Sequence, residues 1–458
     1  MEQRKWDEEK WPGRKESVYA ELFGRKEERD ITSIITDEDI ERMREGIGVR
    51  RGGGGPGRAF NLECNRDNLR HLAQGNGDLN PLYWNEEYAK NTRWGGLIAP
   101  PNFLHCTGTS APQEFPLRET KRSRGGGDTG LRGIQTLYSG EDCYFYRPIR
   151  PGDFVWTGAG YLYDVQAKKS EFSGIAVHSW NLGAMANQKG ELLCVRKTLF
   201  IATGRQTKVD KDGYGERKKY ANLKKQYYTP EDIKRIDADM DREEIRGAKP
   251  RYWEDVNEGD ELTPVVKGPL NVNDMAAFDI GHGITMYDGA HHIAYNYRKR
   301  HPAAWPLNAY GIPDSVESVH WMDKLGRQVT NVGAYNYGEQ TYAWLCHVVT
   351  NWMGDDAWLY YVSGRWRRFI YNGDTTWVRG KVTRKYRDDA GQYKVDLEIY
   401  CQDQRGAITA PGNATVILPS KVGGLPQVPP LDTPAPFKPE EVEFPIGKEP
   451  VWRKQLTF

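Results

Sequence analysis

The stretch Ala73–Leu104, AQGNGDLNPLYWNEEYAKNTRWGGLIAPPNFL, carries the most specific pattern in this chain of 458 residues. It joins a Gly-Asp-x-Asn-Pro turn, which begins at Gly77, to an Ile-Ala-Pro-Pro segment that begins at Ile98. Asp and Asn in such turns bond to nearby backbone N–H groups, and Pro fixes the backbone angle φ. The stretch therefore predicts a tightly turned, polar loop directly after a helix.

A strand and a capped helix precede this loop, and the same arrangement recurs in the second half. FNLECNRDNLRHLAQGNGD, from Phe60, is matched by GPLNVNDMAAFDIGHG, from Gly268, at an offset of about 206 residues (274 − 68 for two helix positions). Further along, Gly152-Asp153 is matched by Gly373-Asp374 at a larger offset, each between two β-rich stretches. The chain therefore contains two copies of one unit, and the second copy has extra residues between its helix and its strands.

Each copy is expected to hold a helix followed by antiparallel strands joined by Gly-containing turns, which is an α+β arrangement. One helix per copy predicts a long helix lying across a curved sheet. The predicted divisions are an N-terminal arm (1–59), a first repeat (60–203), a charged linker with one helix (204–259), a second repeat (260–420) with an insertion at about 284–313, and a Pro-rich C-terminal arm (421–458).

Composition excludes several classes of protein. Lys and Arg number 64 against 63 Asp and Glu, and the net charge of +1 provides no bulk attraction for nucleic acid. The six cysteines form no CxxC pair, which argues against a zinc ribbon or redox dithiol and favours free thiols in the cytoplasm. A charged N-terminus and the lack of a run of about 18 apolar residues predict neither a signal peptide nor a membrane span. We expect a cytoplasmic globular protein that binds neither nucleic acid nor a membrane.

The Ala73–Leu104 stretch resembles the hydratase signature of the MaoC-like, hotdog-fold acyl dehydratases, which include the (R)-specific enoyl-CoA hydratases. In that signature Gly-Asp-x-Asn-Pro-(Ile/Leu)-His precedes an Ala and an Ile-Ala-Pro or Ile-Ala-His-Gly segment. The matching residues here are Gly77, Asp78, Asn80, Pro81, Leu82, Ala89, Ile98, Ala99 and Pro100. Extended over both copies, the resemblance implies a double hotdog, two repeats each with a long helix wrapped by a curved antiparallel sheet.

The resemblance also implies a reaction, the hydration of a 2-enoyl-CoA thioester or the dehydration of a 3-hydroxyacyl-CoA thioester. This chemistry needs a base for water, an acid for Cα and donors for the developing enolate oxygen. In the first repeat Asp78 is present, but Tyr83 occupies the His position, and a Tyr of pKa about 10 is a poor base at neutral pH. Two hypotheses stay open: Asp78 acts with Tyr83 as a donor, or Asp78 and Asn80 only cap and turn the loop.

The second repeat is therefore searched for the missing imidazole. Val-His-Trp-Met-Asp, from Val319, resembles the end of the signature, and His320 follows Tyr83 at an offset larger than that of the helices, consistent with the insertion. Asp314 precedes His320 by six positions instead of five, and no Asn-Pro lies between them. We expect Asp314 and His320 to be the catalytic pair, with His282 as the rival. The competing interpretation is structural: a buried His bonded to a backbone carbonyl, and an Asp that caps a turn.

The implied substrate contacts are Asn80, Gly338 at the start of the second long helix, and the three arginines Arg365, Arg367 and Arg368, one face of which would meet the phosphates of coenzyme A. The Gly-rich runs at 50–60 and 121–130 lack the Lys-Ser/Thr of a P-loop and are predicted to be flexible loops. The adjacent pair His291-His292 is a poor metal site. We expect no metal and no cofactor other than the coenzyme A carried by the substrate.

The expected activity is that of a hydro-lyase, and two alternatives stay open. An acyl-CoA thioesterase of the same fold would use a carboxylate to activate water at the thioester carbonyl. A non-catalytic acyl-CoA-binding subunit of a hetero-oligomeric hydratase would explain the missing His and the missing Asn-Pro. The many Trp and Tyr residues between Tyr287 and Trp377 favour a bulky acyl group. Exposed sheet edges favour a homodimer or higher homo-oligomer, with a partner hotdog subunit as a further alternative.

Overall fold

The computed structural model describes most of the chain between Ile35 and Pro430. The described residues are 35–48, 50–51, 60–107, 109–110, 135–157, 160–170, 174–203, 223–283, 289–300, 305, 307–308, 310–330 and 332–430. Most of the predicted N-terminal arm, most of both Gly-rich runs, the first part of the linker, much of the insertion and the chain beyond 430 lie outside the described residues.

The first half consists mainly of strands. Its elements are α1 (Asp37–Arg44), β1 (Arg50–Arg51), α2 (Arg66–Asn76), α3 (Glu86–Lys90), β2 (Thr109–Ser110), β3 (Gln135–Phe145), β4 (Val155–Thr157), β5 (Gly160–Ser170), β6 (Gly174–Asn187) and β7 (Leu192–Thr203). The 3-10 helix Pro81–Tyr83 lies in the Gly-Asp-x-Asn-Pro loop. A second 3-10 helix, Pro101–His105, begins at the last residue of the Ile-Ala-Pro-Pro segment.

The second half repeats the strands and adds helices. Its elements are α4 (Pro230–Met240) in the linker, β8 (Val265–Lys267), α5 (Val272–His282), α6 (His291–Arg300), α7 (Asp323–Thr330), α8 (Gly338–Met353), β9 (Trp358–Arg365), β10 (Thr376–Arg387), β11 (Tyr393–Asp403) and β12 (Ile408–Ile417). Further 3-10 helices lie at Trp253–Asp255 and Val316–His320. No helix among these is both long and apolar enough to cross a bilayer.

The two halves form one 12-stranded sheet of order β1-β5-β6-β7-β3-β9-β12-β11-β10-β8, with β2 and β4 beside it. Neighbouring strands in this order are antiparallel. Outward from the centre, each half places its four long strands in the same order, first, last, third and second along the chain: β3, β7, β6, β5 on one side and β9, β12, β11, β10 on the other. The halves join where β3 pairs with β9, with Asp142 opposite Ser363. The predicted α+β double hotdog is confirmed, but among the described residues the predicted long helix is present only in the second repeat, as α8.

Helix α8 is the core of this assembly. Every residue from Gln340 to Trp352 is buried, so the helix is enclosed on all sides rather than along one stripe. It packs against β3 of the first half as well as β9–β12 of its own. The corresponding part of the first repeat is the 3-10 helix Pro101–His105, which begins after Pro100 in the same extended backbone conformation that Tyr337 adopts before α8.

Backbone contacts confirm the internal repeat at both offsets. The carboxylates of Asp153 and Asp374 each accept a hydrogen bond from the backbone N–H three residues earlier, at 2.7 and 3.0 Å. Their carbonyl oxygens accept from Cys64 and Leu270, each at 2.9 Å. The offset from Cys64 to Leu270 is smaller than the offset between the two aspartates. The extra residues of the second repeat therefore lie between these points, as the sequence predicts.

Helices α2 and α5 are equivalent and cross each other closely. Each begins at an Asn whose side chain caps two backbone N–H groups, and each ends at a Gly of positive φ. A methyl group on Gly75 would lie 2.6 Å from the carbonyl oxygen of Ala277, and one on Gly281 would lie 2.6 Å from that of His71. Gly75 and Gly281 occupy the same position in the two copies, as do His71 and Ala277. The crossing is therefore symmetric, and glycine is needed at both contact points.

We predict that Gly75→Ala and Gly281→Ala each lower the free energy of unfolding by about 1–3 kcal/mol, because the added methyl group meets backbone atoms that cannot rotate away. Glycine-to-alanine changes in helices usually stabilise, so the sign is diagnostic. The measurement is urea denaturation, with Asn273→Ala on the exposed side of α5 as the control. Stabilisation by either glycine variant would show that the helices do not touch there.

Candidate active site

The signature loop of the first repeat is held in one conformation by its own polar residues. Gly77 ends α2 with φ of 62°. The Asp78 carboxylate then accepts from the backbone N–H of Asn80 at 2.9 Å, and the Asn80 side chain accepts from that of Leu82 at 3.0 Å. Asp78, Asn80 and Tyr83 are buried. The loop therefore presents these three polar side chains inward, toward the second repeat.

Helix α8 of the second repeat supplies an imidazole to this loop. His347 Nε2 lies 3.5 Å from Asp78 Oδ1, and both side chains are almost fully buried. On the other side of the ring, Lys267 Nζ lies 2.9 Å from His347 Nδ1 and donates to the carbonyl oxygen of Asn76 at 2.7 Å. An ammonium group can only donate, so Nδ1 accepts and the proton of neutral His347 resides on Nε2, the nitrogen that lies 3.5 Å from Asp78 Oδ1.

Burial controls the protonation of all three groups. It raises the pKa of Asp78 to about 6, against the opposing effects of the Asn80 N–H and the charge of Lys267. Burial and then Lys267 hold the pKa of His347 well below its ordinary value, and burial also lowers the pKa of Lys267. The result is a carboxyl group that titrates near neutrality beside an imidazole that stays neutral, which is the arrangement expected of proton-transfer groups.

A pocket of about 680 Å³ of space not filled by protein atoms lies beside this loop, between the two repeats. Its walls are mainly apolar and aromatic, including Trp94, Phe145 and Trp358. The polar lining residues are Asn80, Tyr83, Arg147, Thr350 and Asp355. Asp78 and His347 do not line it. They lie behind its wall, close in sequence to the lining residues Asn80 of the loop and Thr350 of α8.

Tyr83 and Asp355 are ionisable groups that line this pocket directly. Burial, and secondarily Asp78, keep the pKa of Tyr83 well above its ordinary value, so its hydroxyl stays a donor. The Asp355 carboxylate accepts from the hydroxyl of Tyr88 at 2.5 Å, and burial raises its pKa. Asn80 and Tyr83 of the first repeat therefore line the pocket together with Thr350 and Asp355 of the second, while Asp78 lies two residues from Asn80 without lining it.

A second buried polar cluster lies where α5 meets the 3-10 helix Pro101–His105. Glu141 on β3 accepts from His105 Nε2 at 3.1 Å, from Arg196 at 2.8 and 3.0 Å, and from the hydroxyl of Tyr138 at 2.8 Å. Burial opposes ionisation of Glu141, but the charge of Arg196 and the hydrogen bonds from Arg196 and His105 outweigh it and hold its pKa well below the ordinary value. The ring of His282 lies 6.1 Å from that of His105, centroid to centroid.

The structure does not bring Asp314 and His320 into contact with each other. Asp314 accepts from the backbone N–H of Ser315 and from the side chain of Asn308. His320 Nδ1 lies 2.7 Å from the carbonyl oxygen of Tyr335, and its Nε2 lies 3.6 Å from Glu317. Burial lowers the pKa of His320 to about 4. The carboxylate near this imidazole is that of Glu317, and the backbone bond matches the structural alternative weighed for His320.

The remaining predicted contact residues lie elsewhere on the second repeat. Gly338 is the first residue of α8, packed against the rings of Tyr138 and Trp366. Arg365 is engaged by Asp142 at 2.6 Å and stacks over Trp180 at 4.7 Å. Arg367 and Arg368 are exposed. Among the described residues, no group of three or more His, Cys, Asp or Glu side chains is arranged to hold a metal ion.

Sequence reasoning missed the residues that the fold adds from a distance, namely His347, Lys267, His105 and Glu141. One signal was available: an apolar helix such as GEQTYAWLCHVVTNWM buries its single His, and a buried imidazole requires a polar partner. The partner, Asp78, lies far back in the first repeat and follows from the fold alone. Neither His105 nor Glu141 carries a recognisable local pattern.

Comparison with known proteins agrees with this architecture. Residues 56–196 match the family model described as "FAS1-like, dehydratase domain region". No curated protein sequence matches the chain. A solved "MaoC-like dehydratase" superposes with a TM-score of 0.54 at 13% identity, covering 82% of this chain and 99% of that one.

Two further solved structures cover similar shares of both chains. A putative MaoC domain protein dehydratase from Chloroflexus aurantiacus has a TM-score of 0.43 at 10% identity, covering 80% of this chain and 99% of its own. A conserved hypothetical protein from Mycobacterium tuberculosis, described as a double hotdog, has a TM-score of 0.45 at 9% identity, covering 81% of this chain and 97% of its own. The first repeat is therefore similar to a dehydratase domain region, and the chain as a whole shares the fold of a solved MaoC-like dehydratase.

Proposed function

We propose that this protein adds water to a 2-enoyl-CoA thioester, or removes it from the 3-hydroxyacyl-CoA thioester, at the junction between the first repeat's signature loop and α8. The observation that carries the proposal is the pair formed by Asp78 and His347, directly behind the polar end of the pocket. The loop has the Asp of the signature but not its His, and α8 provides an imidazole to the same carboxylate. In this proposal the Asp comes from the first repeat and the His from the second.

In this mechanism Asp78 is the group that exchanges protons with the reacting water and with Cα. In the hydration direction its carboxylate takes a proton from water, the water oxygen bonds to C3, and the proton returns to Cα. The Nε2–H of His347 stabilises the carboxylate, while Lys267 keeps the imidazole in that tautomer. Tyr83 lines the pocket and Asp78 does not, so the mechanism requires the lining side chains to move for the substrate to reach the carboxylate, and the hydroxyl of Tyr83 is the donor offered to the enolate oxygen.

The pocket supports a substrate with an apolar acyl group. Its walls are mainly apolar and aromatic, as is usual for small-molecule sites. The indole rings of Trp94 and Trp358, 5.7 Å apart at their centroids, offer flat surfaces to a bulky or ring-containing chain. Arg147, which lines the pocket and lies 3.7 Å from Glu191, is the cation there that could meet the coenzyme. No cofactor is invoked beyond the coenzyme A of the substrate.

The primary test is incubation with a panel of enoyl-CoA esters, followed by mass spectrometry for the gain of one water. We predict that Asp78→Asn lowers kcat by roughly 10²–10⁴, because the base is removed without a change of shape. His347→Gln should cost a similar factor, and the double variant little more, since groups that act as a unit are not additive. Asp67→Asn, on the exposed surface of α2, is the control. If Asp78→Asn stays within about threefold of the parent, the loop is structural.

The second prediction concerns pH. Burial raises the pKa of Asp78 to about 6, and the carboxylate form is the active base in hydration. The value of kcat/KM should therefore fall as the pH drops through about 6 and level off above it. His347 should add no limb in this range, because its pKa lies well below. An acidic limb that persists unchanged in the residual activity of Asp78→Asn would assign the titration to another group.

A thioesterase is the competing enzyme, and one feature favours it: Asp355 lines the pocket directly and has a carboxylate of raised pKa. It could activate water at the thioester carbonyl. We predict no release of free coenzyme A from enoyl-CoA or saturated acyl-CoA esters, measured continuously with a thiol reagent. Release that is lost in Asp355→Asn but kept in Asp78→Asn would replace the hydratase proposal by thioester hydrolysis.

The remaining alternative from the sequence is an acyl-CoA-binding subunit without activity. It differs from the proposed hydratase in whether the purified chain alone is active. If the chain is such a subunit, it binds acyl-CoA but turns over none of the panel when purified alone. A homodimer, or a higher homo-oligomer, that hydrates enoyl-CoA by itself is the outcome expected here. Analytical ultracentrifugation and the activity of the same sample decide between the two.

A further inference from the structure

We propose that the second junction between the repeats is a separate acid–base site, in which His105 carries a proton and His282 binds the water or hydroxyl group that exchanges it. The proposal rests on the reaction class proposed above but not on Asp78. It concerns residues that the mechanism at the first junction leaves unused.

The two junctions are related by the internal symmetry of the chain. At the first, the loop after α2 meets α8 of the other repeat. At the second, His282 at the end of α5 meets His105 on the 3-10 helix that corresponds to α8. His282 and Asn76 are the equivalent last residues of α5 and α2. Equivalent elements of the two repeats therefore contact each other at both junctions, and titratable side chains lie at each.

Hydrogen bonding fixes the state of His105. Glu141 is ionised beside Arg196 and can only accept, so the proton of neutral His105 resides on Nε2. The other nitrogen, Nδ1, is buried without a hydrogen-bond partner among the described residues. It holds a lone pair directed away from Glu141. A carboxylate behind an imidazole whose far nitrogen is free is the arrangement of a general base with its orienting group.

His282 is the more unusual of the two. Its side chain is 4% exposed, and within the described part of the chain neither ring nitrogen has a hydrogen-bond partner. It stacks on Phe278 at 4.9 Å, and burial lowers its pKa to about 3, so it stays neutral. A buried imidazole that satisfies neither nitrogen costs stability. The ring centroids of His282 and His105 lie 6.1 Å apart. Because each ring nitrogen lies about 1 Å from its centroid, this separation allows a nitrogen of each ring to bond to one oxygen atom at ordinary hydrogen-bond distances.

The proton balance closes within this site. In hydration, His105 Nδ1 takes a proton from water, the water oxygen bonds to C3, and the C=C electron pair moves onto Cα. The same Nδ1–H then returns its proton to Cα, so one water is added and His105 is again neutral. Glu141 stabilises the transient imidazolium. The N–H of His282 donates to the water oxygen and holds it in place. No further reactant is required.

The first arm of the test measures activity with the enoyl-CoA panel in the full chain. We expect the double variant Asp78→Asn, His347→Gln to keep a residual activity. Adding His105→Gln to make the triple variant should lower that residual activity at least tenfold. Gln retains a donor to Glu141 but carries no titratable ring. His292→Ala, an exposed imidazole on α6, is the control. A double variant with no activity would overturn the proposal while leaving the first site intact. Loss of all activity in His105→Gln alone would keep this site and refute the first.

The second arm does not depend on the substrate. His282→Phe preserves the stack on Phe278 and removes both unsatisfied nitrogens, so the melting temperature should rise while the residual activity falls. A structural His would give a lower melting temperature. Diethyl pyrocarbonate, a small electrophile, should modify His105 or His282 in the folded protein, located by peptide mass. If both stay unmodified while His292 reacts, no small molecule reaches the site and the proposal fails. This outcome can be read even if the chain hydrates no ester.

Discussion

The close crossing of α2 and α5 is the contact on which both candidate sites depend. Backbone meets backbone there, at Gly75 and Gly281, and a single methyl group on either side would force the helices apart. Each helix ends at one of the junctions, so the crossing fixes where the Asp78 loop and His282 meet the other repeat. A shift of about 1 Å at the crossing would be carried to both junctions, where proton transfer tolerates little displacement.

Local patterns predicted the repeat because each local feature has a local physical cause. The Asn caps of α2 and α5, their terminal glycines and the two Gly-Asp turns each satisfy backbone groups within a few residues. The difference between the helix offset and the turn offset then located the extra residues of the second copy. The double hotdog followed from the signature motif, since one stretch specified both a loop and its place in a known fold.

The candidate site was predictable only where its residues share a loop. Asp78, Asn80 and Tyr83 lie together because they are neighbours in one short turn of the chain. His347 joins them only through the packing of α8, and Lys267 through the edge strand β8, neither of which leaves a trace in local pattern. The same limit explains why Asp314 was paired with His320. The resemblance of the segment from Val319 to the end of the signature suggested the pair, but the 3-10 helix that ends at His320 turns its ring toward Tyr335 and Glu317.

The two junctions are built from equivalent elements but differ in the ionisation of their carboxyl groups. At the first, a carboxyl group of raised pKa faces a neutral imidazole and an ammonium group. At the second, a carboxylate of lowered pKa is saturated by Arg196, Tyr138 and His105. One fold thus supports a carboxylic acid that titrates near neutrality and another that stays ionised, because burial dominates at Asp78 and charge pairing dominates at Glu141.

The pairing of β3 with β9 makes both repeats part of one sheet within one polypeptide. In an assembly of two identical hotdog chains, every substitution appears at both junctions simultaneously, so neither can change without the other. In this chain the two repeats are encoded separately, so a single substitution changes only one junction. Selection can therefore preserve the residues at one junction while those at the other change, and the equivalent positions Asn76 and His282 carry different side chains.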